Sequence, residues 1–134
     1  MGKISRNEFG SIAVSNQVLV NMIIDEMLEM TDSIILCNKK GRIIKDKPTP
    51  LIEPDYHDAV IVTDTIKENS IKLYVIVVFG KSISSVAEEL FKRIEAIYDS
   101  LNHKKPNIVK FRVRGLKTEA GIVKREIEVQ HSYE

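Results

Sequence analysis

Length, composition and charge exclude several classes of protein at the outset. The chain has 134 residues, of which 43% are hydrophobic and 29% are charged, as in a globular domain large enough to bury a core without disulfides. Its net charge of +1 gives no overall attraction to nucleic acid or to anionic lipid. Cys37 is the single cysteine, which excludes an intramolecular disulfide and favours a cytoplasmic location.

No segment of the sequence predicts an export signal or a membrane span. The first eight residues lack the apolar stretch of a signal peptide. The longest apolar run, Leu73–Phe79, is far shorter than the ~20 residues of a spanning helix. We therefore expect any contact with a membrane to depend on a partner.

The N-terminal part predicts a short strand followed by an amphipathic helix. Residues 8–14 have the composition of a strand, and Ser15 is a candidate N-cap for a helix that runs to about Met30. Apolar side chains recur at helical spacing and predict one buried face, formed by Leu19, Ile23, Met27 and Met30 and widened by Val20, Ile24 and Leu28.

Two pairs of strands are predicted in the middle of the chain. Residues 34–37 and 42–45 flank a turn that closes at Gly41, which predicts a short hairpin. Residues 59–66 and 71–79 are joined by four residues, which are too few for a parallel crossover, so we expect an antiparallel pair.

Strand 71–79 and the helix after it are the clearest feature of the sequence. The helix, from Ile83 to Leu101, has a continuous apolar stripe that suits one face of the strand. Alternation places two apolar sets on opposite faces of this strand: Ile71, Leu73, Val75, Val77 and Phe79 toward the helix, and Tyr74, Ile76 and Val78 away from it. If both helices cover one face, the second set stays open, and such a patch commonly marks an interface. We therefore predict self-association or a protein partner there.

The C-terminal third adds strands to the sheet. Residues 108–114 predict a strand that closes at Gly115, with Val109, Phe111 and Val113 inward and a basic ladder of Lys110, Arg112 and Arg114 outward. The tail, residues 117–134, favours an edge strand, although its periodicity also permits a short helix. The order of elements predicts an α+β fold, a two-layer sandwich in which a mainly antiparallel sheet carries two amphipathic helices on one face.

Gly80-Lys81-Ser82 imitates the end of a phosphate-binding P-loop, because it follows a strand and opens a helix. The first glycine of that motif would be residue 75, which is Val75 within the strand. A loop of amides that could cradle phosphates is therefore missing. We interpret the segment as a bend with a helix cap supplied by Ser82, Ser84 or Ser85.

Carboxylates and an imidazole crowd together at one place, Asp55 to Asp58 with Glu53 nearby, where acid–base chemistry or a metal would be sought. A polar, proline-rich loop more often carries such residues as solvated charges, and His103 and His131 lie in other segments without ligand spacing. Cys37 has no identifiable partner base and is interpreted as a buried apolar residue. We predict no catalytic residue, no metal and no cofactor.

The basic ladder gives an alternative function. Together with the other lysines nearby, Lys104, Lys105 and Lys117, it has the charge of a phosphate-binding surface. An exposed aromatic series, on which RNA bases stack, does not accompany it. An RNA-binding module is therefore the second hypothesis, beside a solvated strand face or a charged protein interface.

Three segments agree in order and spacing with a known family: Gly10–Ser15 before the first helix, Val78–Ile83 between strand and second helix, and Ile108–Leu116. Together they resemble the alkaline shock protein family of bacterial envelope-stress proteins over about residues 10–116. The resemblance leaves residues 38–57 as a variable loop and 117–134 as an extension within one domain. It implies a non-enzymatic cytoplasmic protein of Gram-positive bacteria, a self-associating scaffold or regulator of envelope homeostasis, recruited to the membrane by an anchored protein partner.

Overall fold

The structure is a computed structural model in which residues 15–44 and 56–133 are described. The predicted strand 8–14 and most of the proline-rich loop lie outside these residues. The elements in chain order are α1 (Asn16–Leu28), β1 (Ile34–Leu36), a 3₁₀ helix (Tyr56–Ala59), β2 (Val60–Asp64), β3 (Asn69–Val78), α2 (Ile83–Ser100), β4 (Ile108–Thr118) and β5 (Gly121–Ser132).

β3 lies at the centre of a five-stranded sheet. β4 pairs with it in parallel, since α2 provides the crossover that parallel neighbours require. The other edge of β3 is shared, with β2 antiparallel along residues 69–73 and β1 antiparallel along residues 75–77. β5 pairs antiparallel with β4, so the tail is a strand. The α+β fold with a mainly antiparallel sheet is confirmed.

Both helices begin at the serines that their sequences favour. The Ser15 hydroxyl accepts a hydrogen bond from the Val18 amide at 3.2 Å, and Ser82 accepts one from Ser85 at 3.3 Å. Each satisfies an amide that the first turn of a helix leaves unpaired. Gly80, just before the second cap, has φ +97°, so the segment that imitates a P-loop is a glycine bend followed by a cap.

The main core lies between the sheet and the two helices. Alternate residues of the central strands meet the apolar stripes of both helices, as predicted. Its buried members include Leu19, Ile23 and Met27 of α1, Leu90, Phe91 and Ile94 of α2, Leu73, Val75 and Val77 of β3, and Val109, Phe111 and Val113 of β4. Both helices therefore cover one face of the sheet.

Arg93 connects the outer sides of the two helices. Its guanidinium lies 2.8 Å from Glu26 and 3.2 Å from Glu29 of the α1 region, and 3.0 Å from Glu89 one turn earlier in α2. Hydrogen bonds to these carboxylates, first to Glu26, raise the pKa of Arg93 above its usual value. Because a planar guanidinium presents several donors at once, one arginine orients both helices.

β4 is longer than the sequence predicted, because it passes through Gly115 instead of ending there. Its register shifts around Arg114, where the pairing moves from Val113 to Gly115, as at a β-bulge. A Cβ atom at Gly115 would lie 3.1 Å from both Ile122 Cγ2 and Val123 O. Glycine therefore lets β5 approach closely at the bulge, and the strand continues to Thr118.

Candidate functional site

The sheet face away from the helices is not the open apolar patch that the sequence predicted. Tyr74 and Ile76 are only 5% and 1% exposed, and Val78 is half-buried. Tyr74 and Ile76 form a second small core with Cys37, and Ile35 packs against it. The prediction of an accessible face is wrong for Tyr74 and Ile76, because residues of β1 and of the segment after it cover them.

The hairpin after β1 contributes to this cover. Cys37 forms an antiparallel bridge with Ile43, so the turn closes at Gly41 as predicted. Gly41 has φ +87°, and a Cβ atom built on it would lie 3.4 Å from Cβ of Arg114. The hairpin tip thus lies against the outward face of β4.

Cys37 belongs to this second core and is fully buried. Burial raises the pKa of its thiol to about 12, against the opposing attraction of Arg114 for the thiolate. The thiol therefore stays protonated at neutral pH, and the interpretation of Cys37 as a small core residue is supported.

We expect native Cys37 to react with iodoacetamide at pH 8 at least about a hundredfold more slowly than in the unfolded chain, because the thiolate is the nucleophile. Mass spectrometry reports the rate without ambiguity, since the chain has one cysteine. The same protein in guanidinium chloride is the control. Equal rates in the two conditions would show that Cys37 is accessible.

The basic ladder lies on one face of β4, but carboxylates of β5 meet two of its three members. Arg112 Nε lies 2.8 Å from Glu128 Oε1, although its N–H is not aligned for a hydrogen bond. Arg114 Nη1 lies 3.5 Å from Glu126 Oε1. A hydrogen bond from Gln130 and the attraction of Arg112 both lower the pKa of Glu128. The charge of both arginines is therefore compensated within the sheet.

The acid–base cluster is divided by the limits of the described residues, which include Tyr56, His57 and Asp58 but neither Glu53 nor Asp55. His57 Nε2 lies 2.8 Å from Asn21 Oδ1 of α1. Across the described ranges, no group of three or more His, Cys, Asp or Glu residues is arranged to hold a metal ion. The other two histidines lie beside aromatic rings instead, His103 by Tyr98 and His131 by Phe91.

Two exposed features were not predicted as a site. Phe79, expected on the inward face, is 67% exposed, and Ile122 and Val123 are 46% and 50% exposed. The Phe79 amide donates to Lys117 O at 2.8 Å, and Lys117 is paired with Ile122, so these three apolar side chains lie at one end of the sheet. We call Phe79, Ile122 and Val123 the apolar end.

The second feature is the outer edge of β5, which we call the β5 edge. In the described part of the chain β5 pairs with β4 alone, and most of its residues are exposed. The sequence favoured an edge strand for this tail, and the strand order confirms one beside β4.

Comparison with known proteins gives no assignment: no family model, curated protein or solved structure matches the chain. Among the described residues, neither helix combines the length and the apolar character needed to cross a membrane.

Proposed function

We propose that the protein is a non-enzymatic interaction protein that self-associates by pairing the β5 edge of one copy with that of a second copy. The outer edge of β5, which pairs with no other described strand, is the observation that carries this proposal. β5 has 12 residues, and a strand at the end of a sheet presents backbone donors and acceptors that another strand can bind. Its sequence contains no proline that would block pairing.

The charges along β5 favour a second copy over an unrelated strand. Lys124 and Arg125 precede Glu126 and Glu128, so the strand is basic in one half and acidic in the other. An antiparallel pair centred on Glu126 sets Lys124 of each copy opposite Glu128 of the other. Arg114, which already lies 3.5 Å from Glu126, offsets the meeting of the two Glu126 side chains.

Apolar side chains support the same arrangement. The pairing centred on Glu126 sets Val123 opposite Val129, and a cross-strand pair of β-branched residues is favourable. Val123 also belongs to the apolar end, where it is 50% exposed in the single chain. Exposed apolar groups that lie together are typical of protein interaction sites.

A charge exchange tests both the partner and the register. Lys124→Glu alone, and Glu128→Lys alone, each replace two attractive pairs in the homodimer by two repulsive ones. We expect each variant to self-associate at least about fivefold more weakly, as measured by sedimentation equilibrium. An equimolar mixture of the two variants restores both attractive pairs, so we expect it to form a mixed dimer, which native mass spectrometry would resolve.

Lys104→Glu is the matched control, since it makes the same charge change at an exposed residue outside β5. A wild-type chain that stays monomeric at all concentrations would refute the proposal. So would variants that associate as the wild type does. Strong association of each single variant without a mixed dimer would exclude this register.

The role in cell-envelope homeostasis is proposed from the sequence resemblance alone. It adds a cytoplasmic location and a membrane-anchored protein partner, for which the apolar end offers a contact surface. An RNA-binding function has less support from the structure than from the sequence. Arg112 and Arg114 have carboxylate neighbours on β5, whereas free positive charge drives such binding.

A further inference from the structure

A cavity of about 410 Å³ lies between the hairpin after β1 and the 3₁₀ helix before β2. This volume is in the range of small-molecule sites. β1 and β2 lie at the opposite side of the sheet from β5, so the cavity is separate from the β5 edge. Its walls are formed by Asn38, Lys39, Lys40, Arg42, His57, Asp58 and Ile61.

Positive charge predominates in this cavity. Among the described residues that line it, the cations Lys39, Lys40 and Arg42 are accompanied by one carboxylate, that of Asp58. None of these three cations forms an ion pair with another described residue. Elsewhere in the molecule the pattern differs, since Arg93 lies beside three glutamates and Lys105 lies 2.9 Å from Asp99. Within the described part of the chain, the cavity therefore concentrates positive charge that has no ion-pair partner, although the net charge of the chain is only +1.

The backbone that carries these cations is held in place. Asn38 Oδ1 accepts hydrogen bonds from the amides of Lys40 at 2.9 Å and Arg42 at 3.0 Å. Asn38 N donates to Arg42 O at 2.9 Å, and Gly41 N donates to Asn38 O at 2.9 Å. The turn is thus closed by four hydrogen bonds to one asparagine, so binding an anion would require ordering of side chains only.

The opposite wall supplies groups for the remainder of a ligand. His57 is oriented by its contact with Asn21 of α1 at 2.8 Å. Asp58 provides an acceptor for hydroxyl donors, and Ile61 is 38% exposed, which leaves apolar surface beside the cations.

We propose that this cavity binds a small organic phosphate that carries hydroxyl groups, such as a nucleotide. The phosphate lies between Lys39, Lys40 and Arg42, because charge-assisted hydrogen bonds to phosphate oxygens are the strong ones. The hydroxyl groups face Asp58, and the apolar part of the ligand lies against Ile61. The proposal is independent of self-association, since it uses no residue of β5.

The test is a titration of the full chain with adenosine monophosphate, adenosine and inorganic phosphate, followed by amide chemical shifts in NMR and by calorimetry. We expect adenosine monophosphate to bind best and to shift the amides of residues 38–42 and 57–61. In the double variant Lys39→Glu/Lys40→Glu, binding should weaken at least about tenfold, because two charge-assisted contacts are lost.

Lys104→Glu/Lys117→Glu is the matched control, with the same change in net charge at two exposed lysines outside the cavity. We expect it to bind as the wild type does. Ile61→Ala, which removes apolar surface without adding charge, should weaken binding of adenosine monophosphate and leave inorganic phosphate nearly unaffected. No binding at millimolar ligand, equal loss in the two double variants, or shifted amides elsewhere in the chain would each overturn the proposal.

Discussion

Replacement of Phe111 by alanine is expected to lower the free energy of unfolding by about 3–5 kcal/mol. Phe111 is fully buried in β4, and its ring meets Phe91 of α2 edge to face, with centroids 6.5 Å apart. The substitution removes this contact and leaves a cavity between the sheet and α2. Because small domains are stable by only ~5–15 kcal/mol, the loss is large. Urea unfolding followed by circular dichroism measures it.

Phe79→Ala is the matched control for this prediction. Phe79 is 67% exposed, so the same change of side chain should alter the stability of the monomer by no more than about 0.5 kcal/mol. Its effect is expected in self-association, because Phe79 belongs to the apolar end. Similar losses of stability for the two variants would show that the burial of Phe111 is not as described.

Gly115→Val is expected to destabilise the protein by about 1–3 kcal/mol through overpacking. Its Cβ would lie 3.1 Å from Ile122 Cγ2 and from Val123 O, and 3.7 Å from Ile76 Cγ1. The carbonyl oxygen belongs to the backbone, so relief of the clash requires β5 to move away from β4. Thermal unfolding measures the loss, and hydrogen exchange of the β5 amides should show faster opening of the second half of the β4–β5 pair.

Two controls separate crowding from other effects of substitution. Lys110→Val introduces the same side chain into β4 at a half-buried residue that already carries a Cβ atom, and we expect a change within about 0.5 kcal/mol. Gly80→Ala meets no atom within 4 Å but has φ +97°, so its expected cost of about 1 kcal/mol is conformational. If Gly115→Val is no less stable than Lys110→Val, the close approach of β5 is incorrect.

Much of the fold was predictable because local patterns carried the information. Apolar stripes and serine caps predicted both helices. The short connection after residue 66 predicted an antiparallel pair of strands. Val109, Phe111 and Val113 alternate inward as predicted and are fully buried. The predicted end of β4 at Gly115 was wrong, because the strand continues to Thr118. A glycine can end a strand or can let a neighbouring backbone approach closely, and periodicity does not distinguish the two roles.

The candidate sites were less predictable, because each depends on contacts between distant segments. Lys110, Arg112 and Arg114 were expected as a free basic ladder, yet two of them meet glutamates 12 to 16 residues later in the chain. In the sequence, the segment with Lys39, Lys40 and Arg42 indicated only the turn of a hairpin. Their place in a cavity depends on His57, Asp58 and Ile61, which the fold brings to them.

The sequence by itself determined the helices, the inward faces of the strands and the α+β class, since the hydrophobic periods of 3.6 and 2 residues are local properties. Only the tertiary structure decided which surfaces remain accessible. It buried Tyr74 and Ile76 against Cys37 and left Phe79 exposed. It also decided that the tail is a strand beside β4, where the sequence favoured an edge strand but also permitted a short helix. Burial and strand order depend on which segments pack together, and the free energy of that packing is a property of the whole chain.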